Sequence, residues 1–411
     1  MLASALRQLD PTHPQYAAQF VELVLRAARE SGASDVHLQP TPTGLELAWR
    51  LDGVLHPLGC FPPGQTADVV TRLKVLAQLL TYRVDIPQEG RVHDSTTGKL
   101  PVGAQTQNEP AGASQWRVST FPTLHGERAV VRQVSGLRAA RELADLRLPA
   151  TVEATLTRLM QNTSGAVLLT GPAGSGKTTT AYGCLRAVVG DAVARRCVVT
   201  LEDPIEAPLA GVVQAQIQPS AGFDLATGLR SILRQDPEVI LVGEIRDRET
   251  AEGVFNAALT GHLLLSTFHA GSAAGAIARL SEMGIEPYLL RSGLLAVVHQ
   301  RLLRRLCSCA TLAADDDPSQ RLGYGVGPVW RTAGCSECQQ TGYRGRLVLA
   351  ELLLTENSEL GRAILSRDDA ARLEQLARQG GLVPIYEQAV AAIRDGLTTP
   401  IEVRRVLGGE R

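Results

Sequence analysis

The eight residues Gly171-Pro-Ala-Gly-Ser-Gly-Lys177-Thr178 constrain this chain more than any other stretch. They have the form Gly-x-x-x-x-Gly-Lys-Ser/Thr, the pattern of a loop that wraps phosphate. The pattern needs a strand running into it and a helix leaving it. Ala166-Val-Leu-Leu-Thr170, just before it, is short and apolar and reads as a buried strand; Thr179-Thr-Ala181, just after it, suits a helix. Glycines let the backbone curl until several amide N–H groups face one anion, and the helix start adds the positive end of its dipole. The candidate phosphate-binding residues are therefore Gly171, Gly174, Ser175, Gly176, Lys177, Thr178 and Thr179. Lys177 is placed to reach the β- and γ-phosphates, and the Thr178 hydroxyl to ligate magnesium. A chance glycine turn is the alternative reading.

Lysine usage sharpens the motif. The chain has three lysines, Lys74, Lys99 and Lys177, and the other 38 of its 41 basic residues are arginine. Genome composition explains most of that bias, yet the phosphate loop still spells Lys. A compact ammonium fits between phosphate oxygens where a planar fork does not. A length of 411 residues suggests about two to three domains. A net charge of −1 and 4% aromatic residues offer neither a basic track nor a stacking platform, so no nucleic-acid partner is expected. No uninterrupted apolar run reaches the ~18 residues of a membrane span, and the first ten residues lack the layout of a signal peptide. The expected location is cytoplasmic.

The pattern changes along the chain. Residues 16–30 carry apolar positions near helical spacing; Val36–Gln39 and Leu45–Trp49 alternate as half-buried strands; Val69–Leu80 reads as a helix. Residues 95–115 are polar and rich in Gly, Gln and Pro, as in an exposed loop. Trp116–Thr120 and Ala129–Val134 read as further strands. Residues 1–135 are thus expected to form a small α+β domain and 136–150 a linker. From 151 to 411, strands at 166–170, 197–201, 238–242 and 262–266 alternate with helices, the mark of an α/β domain with a parallel sheet.

Acidic residues gather at the ends of these strands. Val239-Ile-Leu-Val-Gly243-Glu244 is an apolar run closing on a carboxylate, with Asp247 nearby. In a nucleotide-hydrolysing fold, that places an acid at the carboxyl end of a buried strand, able to orient or deprotonate water; a capped strand end is the alternative. Glu202-Asp203-Pro204-Ile205-Glu206 holds three carboxylates within five residues, which need a cation or arginine partners unless the turn is simply solvated. His269 follows the strand at 262–266, where it can sense the γ-phosphate or serve only the structure.

Together these segments resemble the secretion ATPase superfamily of type II secretion and type IV pilus assembly. Glu202–Glu206 is similar to its aspartate box, Leu233–Asp247 to its Walker B region, and Ala258–His269 to its histidine box. The family box usually continues Thr-Asn-Asp, whereas this chain reads Ala270-Gly-Ser272. In the first third, Ser34-Asp-Val-His37, Arg50–Gly53, Pro87–Arg91, Arg117–Thr120 and Gly126-Glu127 fit as well. The resemblance runs from about residue 16, so the family's additional N-terminal docking domain is expected to be missing.

The resemblance implies a RecA-type P-loop ATPase domain preceded by a smaller α+β, PAS-like domain. It implies ATP and magnesium, a homo-hexamer, and indirect membrane contact through an inner-membrane platform protein, with the ATPase peripheral at the inner face. It implies roles for Glu244 and Glu202, for His269, for Arg117 and Arg132 reaching nucleotide from the N-terminal domain, and for Arg230 and Arg234 in the motor domain. A pilus-retraction motor, a nucleic-acid motor and a non-hydrolysing nucleotide-binding regulator are the rival readings. Cys307-Ser-Cys309 and Cys335-Ser-Glu-Cys338 match the assembly branch, which has two Cys-x-x-Cys pairs in a Cys-rich insert here, at 307–338. Four thiolates close a tetrahedral zinc shell, although the first pair is one residue short; four free thiols are the alternative.

Overall fold

The computed structural model describes residues 2–64, 68–93, 115–134, 142–190, 195–313, 322–356 and 358–408. The loop expected over 95–115 lies outside them except for Gln115, as does the expected linker up to residue 141. The chain divides into two units, Met1–Arg138 and Ala139–Arg411.

The first unit opens with helices α1 (Leu2–Arg7) and α2 (Tyr16–Ser31). Strands β1 (Asp35–Thr41), β2 (Gly44–Leu51), β3 (Val54–Phe61), β4 (Gln88–His93), β5 (Gln115–Thr123) and β6 (Gly126–Val134) form one sheet in the order β3-β2-β1-β6-β5-β4. Every pairing in it is antiparallel. Tyr16, Phe20, Val24 and Ala28, spaced four apart on α2, bury one stripe against Val36, Leu38, Leu47, Trp116 and Val131. Helix α3 (Val69–Leu76) starts at Asp68, whose carboxylate accepts from the N–H groups of Val70 and Thr71. It stops four residues short of the expected Leu80. The Gln88 side chain accepts from Leu80 N and donates to the carbonyls of Leu80 and Arg83, tying up backbone groups that another turn would need. β3 and β4 escape the sequence pattern because proline, glycine and polar residues interrupt their alternation.

The second unit is built on a sheet in the order β15-β12-β7-β11-β10-β8-β9. Its strands are β7 (Gly165–Thr170), β8 (Val198–Glu202), β9 (Val213–Gln216), β10 (Val239–Val242), β11 (Leu263–Phe268) and β12 (Leu294–Leu306). The chain then leaves the sheet through a small two-stranded ladder, β13 (Thr311–Leu312) with β14 (Trp330–Arg331), and returns as β15 (Tyr343–Leu354). β15 runs antiparallel to β12, and all other pairings are parallel. β7 is a continuous apolar run because both faces are covered. Val167 and Leu169 pack under α4 (Ala150–Leu159) and α5 (Lys177–Val189). Ala166 and Leu168 face the other side, where α6 (Leu225–Ile232), α7 (Arg248–Leu259), α8 (Ala273–Glu282) and α9 (Pro287–Gly293) pack. Each such Val or Leu contributes about 1.5–3 kcal/mol relative to exposure. Among the described residues, four further helices follow β15: Ser358–Leu365, Ala370–Gln379, Ile385–Arg394 and Pro400–Leu407.

Candidate functional site

The glycine loop joins β7 to α5, at the carboxyl end of the parallel strands where open α/β sheets bind ligands. Gly171 has φ 139°, and a Cβ there would stand 2.5 Å from the Gln300 carbonyl oxygen and 2.6 Å from Ser175 Oγ. Gly176, at φ 95°, takes the left-handed turn that starts α5. The first residue of that helix, Lys177, bends back so that Nζ donates to the carbonyls of Gly171 and Pro172, both at 2.9 Å. Burial pushes the Lys177 ammonium below its usual range, while the carboxylates of Glu244 and Glu206 pull it back up. Those two acids therefore act on the same lysine. Thr178 and Thr179 follow, half-buried in the first turn of α5.

Glu244 stands just past β10. One of its oxygens is 3.1 Å from His269 Nε2, and the other accepts from Arg246 Nε at 2.9 Å. Arg246 also reaches Asp203 at 3.5 Å. The ends of three neighbouring strands, β8, β10 and β11, thus meet in one charged cluster. Thr267 Oγ1 donates to the Gly243 carbonyl at 2.7 Å, fixing the β10 exit against β11. The departure Ala270-Gly-Ser272 has a local consequence, because Ser272 caps α8 by accepting from Gly275 N at 3.0 Å. Asp247 is likewise a cap, bonded to Thr250 N and Oγ1.

The carboxylates of 202–206 are handled separately. Glu202 is 3% exposed, and neutral donors hold it: the Tyr182 hydroxyl, Thr200 Oγ1 at 2.7 Å and Gln214 Nε2 at 3.0 Å. Burial, reinforced by the bond to Glu202, pushes the Tyr182 hydroxyl far above its ordinary range. Asp203 faces Arg246, and Glu206 acts on Lys177.

The arginines are dispersed. Arg230 pairs with Glu249, and Arg234 donates to the Arg230 carbonyl at 2.9 Å; these bonds lie along α6 and α7 rather than on the glycine loop. In the first unit, Arg50, Asp35, Arg132, Arg117 and Arg91 stand opposite one another across five adjacent strands. Like charges facing directly across a ladder repel. Asp35 relieves this by accepting from Arg132 Nε at 2.7 Å, and Glu89 by accepting from Arg117 Nη2 at 2.7 Å.

The four cysteines converge. Their sulfurs all lie within 4.8 Å of one another. Cys307 to Cys335 is 3.8 Å, Cys309 to Cys338 is 3.8 Å and Cys335 to Cys338 is 3.7 Å. A tetrahedron with Zn–S bonds of ~2.3 Å has edges of ~3.8 Å. The short Cys-x-Cys pair is accommodated because each of its members faces a sulfur of the other pair. Burial pushes the Cys338 thiol up, but the N–H groups of Cys335 and Gly342 outweigh it and bring it down to about 7.

The sequence profile of the family described as type II/IV secretion system protein matches residues 12–405. The chain belongs to this family. The type II secretion system ATPase E of Vibrio cholerae is 37% identical over 393 residues, covering 94% of this chain and 75% of the relative. The type II secretion system protein HxcR of Pseudomonas aeruginosa is 38% identical over 384 residues, 93% of this chain and 76% of the relative. The type IV pilus assembly ATPase PilB of Thermus thermophilus is 36% identical over 394 residues; the match takes in 94% of this chain but only 42% of that longer protein. Among solved structures, the ATPase DotB of Legionella pneumophila aligns at TM-score 0.66 and 19% identity over 94% of each chain. The pilus retraction motor PilT with bound ADP aligns at 0.61 and 23%, over 93% of this chain and 95% of that one. At such identities these two structures speak for the fold, an α/β secretion-ATPase fold.

Sequence reading of this family member missed three groups. Arg246 lies inside the stretch Leu233–Asp247 but carries no signal that it folds back onto Glu244. Tyr182 and Gln214 saturate Glu202 from 20 and 12 residues away. His299 and Gln300, on β12, reach the glycine loop from a strand that no motif marks. Among the described residues no helix is long and apolar enough to cross a membrane.

Proposed function

We propose that this chain hydrolyses ATP to power a type II secretion or type IV pilus assembly machine. It does so as a homo-hexamer, at the cytoplasmic face of the membrane, against a membrane-embedded platform protein. The observation that carries the reading is geometric: the glycine loop leaves β7 at the same strand ends where Glu244, just past β10, is held by His269 at 3.1 Å and Arg246 at 2.9 Å, and Lys177 folds back onto the loop carbonyls. A phosphate-binding loop and a carboxylate able to orient water then share one strand-end cluster. The backbone N–H groups of the loop and the Lys177 ammonium hold the phosphates. Glu244 orients the attacking water, and His269 fixes one of its oxygens. Glu202, saturated by neutral donors, serves as a positioning residue that holds the β8 end. The Thr178 hydroxyl would hold magnesium, which when bound would offset negative charge on the phosphates. Arg117 and Arg132 are held by Glu89 and Asp35, and Arg230 and Arg234 bond along α6 and α7, so no step is assigned to these four arginines. The four cysteines would hold one structural zinc, and their sulfur spacings fit a closed set of four thiolates.

Phosphate release by the purified protein tests the activity. Glu244→Gln is expected to bind Mg·ATP as the parent does and to turn it over at least about a hundredfold more slowly. Parental turnover in that variant would remove Glu244 from the role, and parental protein that binds ATP without hydrolysing it would make this chain a regulator. Metal analysis of freshly purified, reduced protein is expected to give about one zinc per chain; none would leave four free thiols.

A further inference from the structure

Two consecutive residues of β12 touch the phosphate loop at its two ends, and no motif predicts either. β12 runs parallel to β7 with His299 opposite Thr170, the last residue before the loop. Successive strand residues point to opposite faces of a sheet, so His299 and Gln300 grip from different sides. His299 is 2% exposed, and its Nδ1 lies 3.1 Å from Thr170 Oγ1. Gln300 is 1% exposed, and its Nε2 donates to Thr180 Oγ1 at 2.9 Å, one turn into α5. Its carbonyl stands so close to Gly171 that a Cβ there would be 2.5 Å away. The strand itself is held on both sides, by β7 and by β15, where Glu351 lies opposite His299 and Ala350 opposite Gln300.

We propose that His299 and Gln300 are positioning residues that fix the entry and exit of the phosphate loop, and that nucleotide affinity depends on them. The inference rests on the reading of the loop as a nucleotide site. A loop that presents several N–H groups to one anion binds well only if its ends are held at one spacing. Thr170 and Thr180 are those ends, and β12 is the bracket between them. Burial, with the charges of Arg301 and Lys177, holds the His299 imidazole down to about 4, so it stays neutral and shares a single hydrogen bond with the Thr170 hydroxyl. Among the described residues, the buried polar atoms without a hydrogen-bond partner include Ser175 Oγ and Gln300 Oε1. Such orphans are uncommon, and these two belong to the residues that crowd Gly171. The loop is thus anchored at its ends, with hydrogen-bonding capacity still open in its interior.

The experiment is calorimetric titration of Mg·ADP into the purified full chain, with melting of each protein in the absence of nucleotide. Gln300→Leu and His299→Leu are each expected to weaken Mg·ADP by about three- to tenfold. KM for ATP should rise more than kcat falls, and the nucleotide-free variants should melt close to the parent. His299→Asn, whose amide occupies the place of Nδ1, should recover most of the affinity. Thr180→Val approaches the same bond from the other side, so it should cost as much as Gln300→Leu and add little to it in the double variant. This arm also carries the test if a leucine variant does not fold. Parental affinity in the leucine variants, or full additivity in the double variant, would overturn the bracket while leaving the nucleotide site standing. Parental protein that does not bind Mg·ADP at all would overturn both.

Discussion

Lys74 in the first unit and Lys177 in the second are both buried, at 0% and 8% exposure, and they are held differently. An ammonium has three N–H donors. Lys74 sits against three acceptors: the Arg83 carbonyl at 2.8 Å and the two Glu127 oxygens at 2.9 and 2.8 Å. Its charge is neutralised and its donors are all used. Lys177 bonds two carbonyls, Gly171 O and Pro172 O, and among the described residues no third acceptor takes the remaining N–H. Its counter-charges, Glu244 and Glu206, act on it without a bond. A saturated buried cation fixes a fold; an unsaturated one beside curled backbone N–H groups is ready for an anion. Lysine survives at these two positions because each needs a point donor rather than a planar fork.

The largest effect is expected at the unsaturated lysine. Lys177→Ala should lower ATP turnover by at least about a hundredfold, the cost of losing a charged donor to developing phosphate charge, while leaving the melting of the nucleotide-free protein near that of the parent. Lys177→Arg should be nearly as damaging. The fork cannot place single donors on Gly171 and Pro172 and still present one to a phosphate. Substantial turnover in the arginine variant would break the contrast drawn between the two lysines.

Lys74 should answer in stability instead. Lys74→Met leaves the Glu127 carboxylate, only 7% exposed, buried without its partner, and should cost about 3–5 kcal/mol. Hydrogen exchange along α3 and β6 should accelerate while β7 and β11 keep their protection. Replacing both partners, Lys74→Met with Glu127→Leu, should recover most of the loss, since an apolar pair carries no stranded charge. A double variant no more stable than Lys74→Met would mean that the pair contributes shape rather than charge satisfaction.

The two lysines also mark what the sequence could tell. Lys177 came with its own pattern, and the strands feeding its cluster, β7, β8, β10 and β11, are apolar runs buried on both faces, which a reader can place within a residue or two. His269 and Glu244 were legible because each follows such a run. Lys74 was not legible as a buried cation: its partner Glu127 is 53 residues away, and pairing at that separation leaves no periodic trace. The same holds for Glu202, flagged as catalytic by its motif but enclosed by Tyr182, Thr200 and Gln214. β12 was hidden for another reason. Leu294–Leu306 is a long apolar run interrupted by His, Gln and Arg, which periodicity alone does not assign to strand or helix. Its bracket residues stayed hidden with it.

Arg246 is the third cation in this comparison, and the exposed one. Its side chain is 57% exposed, against 22% for the Glu244 carboxylate it holds at 2.9 Å. A pair this open contributes less than about 1 kcal/mol to folding, so Arg246→Ala should melt with the parent. Its effect should appear in turnover. Glu244 has two anchors, Arg246 on one oxygen and His269 on the other, and loss of one leaves the carboxylate free to rotate away from water. We expect kcat at saturating ATP to fall about three- to tenfold, with KM little changed and partial recovery in Arg246→Lys. Combining Arg246→Ala with His269→Ala should cost more than the product of the single effects, because only the double variant leaves the carboxylate with no anchor at all. An unchanged kcat in Arg246→Ala would assign the orientation of Glu244 to His269 alone and reduce Arg246 to a surface charge shared with Asp203.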